Sequence, residues 1–137
     1  MINTNDYRTG RHCVFKLHAH LVFVTKYRRK VLEGYMFPTL QMRFEKVCGD
    51  FEAELIEFNG EDDHVHLLVH YPPKIAITKL VNSLKGVSSR KLKMHHPEVA
   101  NRYYNRALWR PSYFAASCGG APLEIIKQYV EQQRTQN

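Results

Sequence analysis

Two histidines separated by one residue stand in Asp63-His64-Val65-His66-Leu67-Leu68-Val69. The stretch is dominated by apolar and β-branched residues and follows Asn59-Gly60, so it reads as a strand entered from a turn. Side chains alternate between the faces of a strand. His64 and His66 therefore point the same way, about 7 Å apart along the chain. Two imidazoles so placed can close on one metal ion, or can simply be polar residues on a half-exposed strand. A second pair with the same spacing, His18-Ala19-His20, competes with the first. Near the other end, Tyr129 and Gln133 are four residues apart in an amphipathic pattern, which puts them on one helix face, a turn apart. That face is offset from the Leu123, Ile126 and Val130 stripe, so it can look out of the core; ordinary packing is the alternative for the tyrosine.

These residues sit in a chain of 137 residues, 44% hydrophobic and 24% charged. That length makes one domain, 1–137, with a core large enough to need no disulfides. Cys13, Cys48 and Cys118 are odd in number and far apart, which fits buried thiols rather than a metal knot or a disulfide framework. No stretch approaches the ~20 apolar residues of a membrane span, and the first residues lack the plan of a signal peptide. A cytoplasmic protein with no membrane contact is expected. The net charge of +7 points to a polyanionic partner, with nucleic acid the default.

The elements that must position the histidines can be taken in order. Residues 1–12 are polar and read as a loose arm. Cys13 to Thr25 alternates as one long strand, with Cys13, Phe15, Leu17, Ala19, Leu21 and Phe23 on a core face and Lys16, His18 and His20 on a mixed face. Lys26-Tyr27-Arg28-Arg29-Lys30 follows, four cations around an aromatic, a composition suited to phosphate contact and base stacking. Phe37, Leu40, Phe44, Val47 and Cys48 fall at helical spacing, with Gly49 as a stop. Phe51 to Phe58 forms a hairpin with the His64 strand. Ile77, Leu80, Val81 and Leu84 begin a second helix that runs on through Lys85, Ser88, Arg90 and Lys91. Residues 98–108 read as irregular. Tyr113 to Ser117 is a last strand, Gly119-Gly120 a joint, and Leu123, Ile126 and Val130 the stripe of a final helix with Pro122 in its first turn. The order β-α-β-β-α-β-α is that of a ferredoxin-like, RRM-like α+β sandwich with a four-stranded antiparallel sheet and an added C-terminal helix. Its first and third strands are central neighbours, so both histidine pairs can share the sheet face that the helices leave open.

The His-hydrophobic-His pair, open sheet face, basic patches and tyrosine behind a glycine joint resemble the HUH superfamily of single-strand DNA endonucleases. At finer detail the chain resembles the single-tyrosine transposases (TnpA) of the insertion-sequence 200/605 group. The matching stretches are Lys26-Tyr27-Arg28-Arg29-Lys30-Val31-Leu32, Asp63-His64-Val65-His66-Leu67-Leu68, Lys85-Gly86-Val87-Ser88-Ser89-Arg90, Leu108-Trp109-Arg110-Pro111-Ser112-Tyr113-Phe114, Gly119-Gly120-Ala121-Pro122-Leu123 and Gln128-Tyr129-Val130-Glu131-Gln132-Gln133. They run in order from about residue 13 to residue 133.

The resemblance implies a transposase that cuts and rejoins single-stranded DNA at insertion-sequence ends through a 5′-phosphotyrosine. It implies Tyr129 as nucleophile; His64, His66 and Gln133 as ligands of Mg2+, with Mn2+ competent; and Gly119 and Gly120 as the hinge of a mobile catalytic helix over 121–135. It also implies DNA with hairpin ends, a homodimer and a prokaryotic, nucleoid-associated setting. Lys26, Tyr27, Arg28, Arg29, Lys30, Lys85, Ser88, Arg90 and Lys91 are the expected DNA contacts. Alternatives are a replication-initiator or domesticated repeat-processing endonuclease, a hydrolase of small phosphodiesters, and a non-catalytic RRM-like binding module. The family motif falls on His64, and alanine is a weak middle residue, so the His18 pair ranks low. His64→Ala and His66→Ala are expected to lose metal-dependent strand cleavage, while His18→Ala keeps most of it, as read from product formed on a labelled oligonucleotide.

Overall fold

The computed structural model describes residues 8–9, 14–15, 17–104, 106–117 and 123–132. Among them the elements are β1 (Arg8–Thr9), β2 (Val14–Phe15), β3 (His18–Val24), α1 (Phe37–Asp50), β4 (Glu54–Gly60), β5 (His64–His70), α2 (Ile77–His95), α3 (Pro97–Arg102), β6 (Phe114–Ser117) and α4 (Leu123–Gln132). Strands β4-β5-β3-β6 form one antiparallel sheet in that order, and β1 pairs with β2 in a separate ribbon. This is the ferredoxin-like α+β sandwich, with β3 and β5 at the centre.

Period-two patterning sorts the central strands. Ala19, Leu21 and Phe23 of β3 and Val65, Leu67 and Val69 of β5 are buried in the main core. The helices cover that face because their apolar residues recur at helical spacing. Leu40, Phe44, Val47 and Cys48 are buried along α1, whose Pro38 fits a first turn that needs no N–H from it. Leu80, Val81, Leu84, Ser88 and Leu92 are buried along α2. The Cys48 thiol is interior, and burial pushes it up to about 12, so it stays protonated. Cys13 and Cys118 lie outside the described residues.

Four local differences from the sequence reading have physical causes. The long first strand is not one element: β2 pairs with β1 in its own two-stranded ribbon, and β3 starts at His18. Arg8, expected in a loose arm, is tied down, donating to the Glu52 carbonyl at 2.7 Å. Strand β4 begins at Glu54, after Phe51-Glu52 make a turn in which Glu52 has φ 58°. Its register then shifts between Leu55 and Glu57, leaving Ile56 exposed. This bulge resolves a parity conflict, because it lets Leu55 and Phe58, three apart, both pack on the core. Residues 97–102 are not irregular but form α3, started by Pro97 and anchored by buried Val99.

Phe44 is fully buried, with ring centroids 6.1 Å from Phe23 and 5.7 Å from Phe58. Phe44→Ala is expected to lower the unfolding free energy by about 3–5 kcal/mol in denaturant titration.

Candidate active site

The same alternation that buries Val65 and Leu67 places His64 and His66 on the opposite face of β5. In register, Val24 pairs with His64 and Val22 with His66. Val22 and Val24 are nevertheless fully buried, because α4 lies over them: they cluster with Val130, and Phe114 and Tyr129 pack alongside. The Tyr129 ring centroid is 5.6 Å from that of Phe114, and its hydroxyl is 3.3 Å from the Ser112 hydroxyl. The tyrosine helix thus sits on the sheet of its own chain, over the cross-strand neighbours of both histidines. Gln133, Gly119 and Gly120 lie outside the described residues.

Asp63 is buried at the mouth of β5 and accepts from His64 Nδ1 at 2.8 Å. That bond orients the ring and leaves Nε2 as the nitrogen that could ligate a metal, the arrangement that carboxylate–histidine pairs adopt around metals. The second carboxylate oxygen accepts from Arg28 Nε at 2.8 Å. Burial pushes the Asp63 carboxyl up, but the bonds from His64 and Arg28 outweigh it and hold it below its usual range. His66 is pushed down, first by burial and then by neighbouring His20, which favours the neutral imidazole that ligates metals.

The competing pair enters this site in part. His20 Nδ1 lies 3.0 Å from His66 Nε2, with the rings stacked. His18 instead stacks on His70 at 4.4 Å. Five histidines therefore share the open face. Among the described residues no three His, Cys, Asp or Glu side chains converge on one point, so a closed cation site needs a further donor.

The basic stretch after β3 does not form one surface. Tyr27 and Arg28 have φ 64° and 50°, a left-handed conformation that costs a non-glycine residue about 1–2 kcal/mol. It sends successive side chains to different places. Arg28 turns to Asp63 and also reaches Glu131 of α4 at 3.3 Å. Arg29 donates to the Arg102 carbonyl at 2.6 Å and lies over the rings of Tyr27 and Tyr103. The Tyr27 hydroxyl accepts from Arg106 at 2.6 Å. Lys30 is exposed beside a separate cleft that also holds Glu33 and Glu98.

Lys26, Lys85, Arg90, Lys93, Arg106 and Arg110 instead line a cleft of about 500 Å3 between α2 and residues 106–111, and no acidic side chain among the described residues lines it. Lys85 donates to the carbonyls of Arg110 at 2.5 Å and Pro111 at 3.1 Å, and burial lowers its pKa. Lys91 does not line this cleft. Ser88 corrects an expectation. It is interior, accepting from the Trp109 indole at 2.9 Å and donating to the Lys85 carbonyl at 3.1 Å, so it packs the cleft wall rather than facing DNA. Sequence reasoning passed over Asp63, Ser112, Phe114 and Glu131 as site residues. Only Asp63, an acid directly before the histidine strand, carried a local signal.

The sequence model of the family described as "Transposase IS200 like" matches residues 13–133. The chain belongs to this family. It is 31% identical over 128 residues to the ISDra2 transposase TnpA of Deinococcus radiodurans, covering 93% of this chain and 91% of that one. It is 27% identical to the transposase for insertion sequence element IS200 of Salmonella typhimurium, covering 93% and 84%. A crystal structure of a Deinococcus radiodurans transposase superposes with a TM-score of 0.84 at 32% identity, over 92% of this chain and 97% of that one. A REP-associated tyrosine transposase bound to a REP hairpin shares the fold at 14% identity, with a TM-score of 0.55 over 90% and 68%. Within this IS200-like transposase, the Tyr129 helix and the His64 strand are thus brought to one face of the shared fold.

The Ser88 hydroxyl satisfies the buried Trp109 N–H, so Ser88→Ala is expected to cost about 1–3 kcal/mol of stability. Oligonucleotide affinity per folded molecule should stay unchanged, measured by anisotropy beside a denaturant titration.

Proposed function

We propose that this transposase cuts and rejoins single-stranded DNA by direct attack of Tyr129 on a phosphodiester. The observation that carries the reading is the packing of Tyr129 and Val130 on Val22, Val24 and Phe114, over the strand partners of His64 and His66. In the forward step the Tyr129 oxygen bonds to phosphorus while the bond to the 3′ oxygen breaks. This leaves a 5′-phosphotyrosine and a free 3′-OH, and the phenolic proton is balanced by the one gained at the 3′ oxygen. A 3′-OH attacking the phosphotyrosine reverses the exchange. One phosphodiester is traded for another, so no ATP is required.

The donor set fits a divalent cation. His64 offers Nε2 because Asp63 holds Nδ1, His66 favours its neutral form, and Gln133 would supply the third donor. Bound there, Mg2+ or Mn2+ would polarise the scissile phosphate and offset the charge that develops on it. Ser112 holds the Tyr129 hydroxyl at 3.3 Å and limits its rotation. Ring contact with Phe114 fixes the plane of the phenol.

The basic cleft takes the DNA backbone. Burial lowers the pKa of Lys85 and Lys93 there, and an entering phosphate would shift both back up. The same reading carries the homodimer, hairpin-ended DNA, a hinge at Gly119-Gly120 and a nucleoid setting. Among the described residues no helix is long and apolar enough to cross a membrane.

Incubation of the protein with labelled single-stranded DNA and Mn2+ is expected to give a covalent adduct on a denaturing gel. Tyr129→Phe should give none while still binding the DNA, and chelation should remove the adduct from wild type. An adduct formed by Tyr129→Phe rejects the assignment. Lys26→Glu with Arg90→Glu should weaken binding and flatten its salt dependence, each lost phosphate contact lowering the slope by about 0.7–0.9. An unchanged slope would exclude the cleft as the DNA track.

A further inference from the structure

Arg28 stands between two halves of the site. Its Nε bonds one oxygen of Asp63 at 2.8 Å, and the other oxygen of the same carboxylate holds His64 Nδ1 at 2.8 Å. Its Nη2 reaches Glu131 at 3.3 Å, two residues beyond the proposed nucleophile on α4. One planar guanidinium thus touches the carboxylate that orients His64 and the helix that carries Tyr129.

The backbone is committed to this aim. Tyr27 and Arg28 both lie in the left-handed region. The turn is tied on several sides: Lys26 N–H donates to the Leu108 carbonyl at 2.7 Å, Tyr103 hydroxyl donates to the Lys26 carbonyl at 2.7 Å, and Thr25 N–H donates to the Asp63 carbonyl at 2.9 Å. Backbone strain held by its surroundings marks a side chain whose direction matters.

The two ends differ in solvent. The Asp63 side chain is 6% exposed and the Glu131 side chain 51%. The inner pair is shielded and anchored by a third bond to His64. The outer pair is open to water and weak, as exposed pairs are. Such an asymmetric clasp holds its inner end while the helix end can open.

Resting on the proposed roles of Tyr129 and His64, we propose that Arg28 is a positioning residue, a clasp that docks the Tyr129 helix onto the carboxylate orienting His64. It acts through Asp63 and Glu131 rather than on DNA. Only the forked donors of arginine serve both carboxylates from one planar group.

The test uses the full chain without DNA or metal, so its outcome is independent of whether strands are cut. Hydrogen exchange reads the amides of 123–132, and nitrogen NMR reads the His64 ring tautomer. Glu131→Gln is expected to speed exchange of the helix about two- to fivefold, the scale of an exposed ion pair, and to leave the His64 ring signals in place. Arg28→Gln should speed exchange equally and also shift the His64 signals. The double variant should exchange no faster than Arg28→Gln alone. Independent, multiplying effects on exchange, or an unmoved His64 in Arg28→Gln, would overturn the clasp. Should Arg28→Gln fail to fold, Arg28→Lys decides. It keeps the charge beside Asp63 and loses the fork, so fast helix exchange with unchanged His64 signals supports the proposal, and wild-type exchange refutes it.

Discussion

The structure depends on the antiparallel ladder between β3 and β5. It runs in unbroken register from His18 opposite His70 to Val24 opposite His64. Because side chains alternate, one register decides two things together. Ala19, Leu21, Phe23, Val65, Leu67 and Val69 go to the helices, and the histidines go to the other face. A slip of one residue would turn every histidine of β5 inward and every valine and leucine outward. The apolar core therefore enforces the geometry of the chemical face. The ladder also sets Val22 and Val24 beside the histidine positions, which gives α4 an apolar seat there.

That seat is small. Val130, Tyr129 and Phe114 cover two valines on this face, while α1 and α2 bury their residues in the main core. The contacts of α4 include this apolar seat, the Ser112–Tyr129 hydroxyl contact and the Arg28–Glu131 pair. The strained turn at Tyr27-Arg28 stands at the boundary between this seat and the main core and is locked by backbone bonds from both sides. It distributes a compact run of cations to separate duties, with Lys26 in the cleft, Arg28 at Asp63 and Arg29 over two tyrosine rings.

What could be read from the chain and what could not follow a physical division. The sandwich was legible because strand alternation and helical spacing are local and strong in β3, β5, α1 and α2. Bulged β4 was legible as a strand, but the parity conflict between Leu55 and Phe58 had to be resolved by a shift that depends on its partner. Ser88 looked like a phosphate contact beside Lys85 and Arg90. Its burial follows from the distant Trp109, whose indole N–H needs an acceptor. Helix α3 was missed because Pro97 reads equally as a stop and as a start, and the pocket that buries Val99 comes from elsewhere in the fold.

The sequence by itself determined the types of residue available and their local spacing: two imidazoles on one strand face, a tyrosine on an amphipathic helix, and an excess of cations. These are properties of period and composition, and they hold before any long-range contact forms. Only the tertiary structure decided that His20 rather than His18 meets His66, that Asp63 divides its oxygens between His64 and Arg28, and that Glu131 comes back to the turn after β3. Each of these joins residues across strands or across most of the chain, and such distances are set by closure of the sheet and docking of α4.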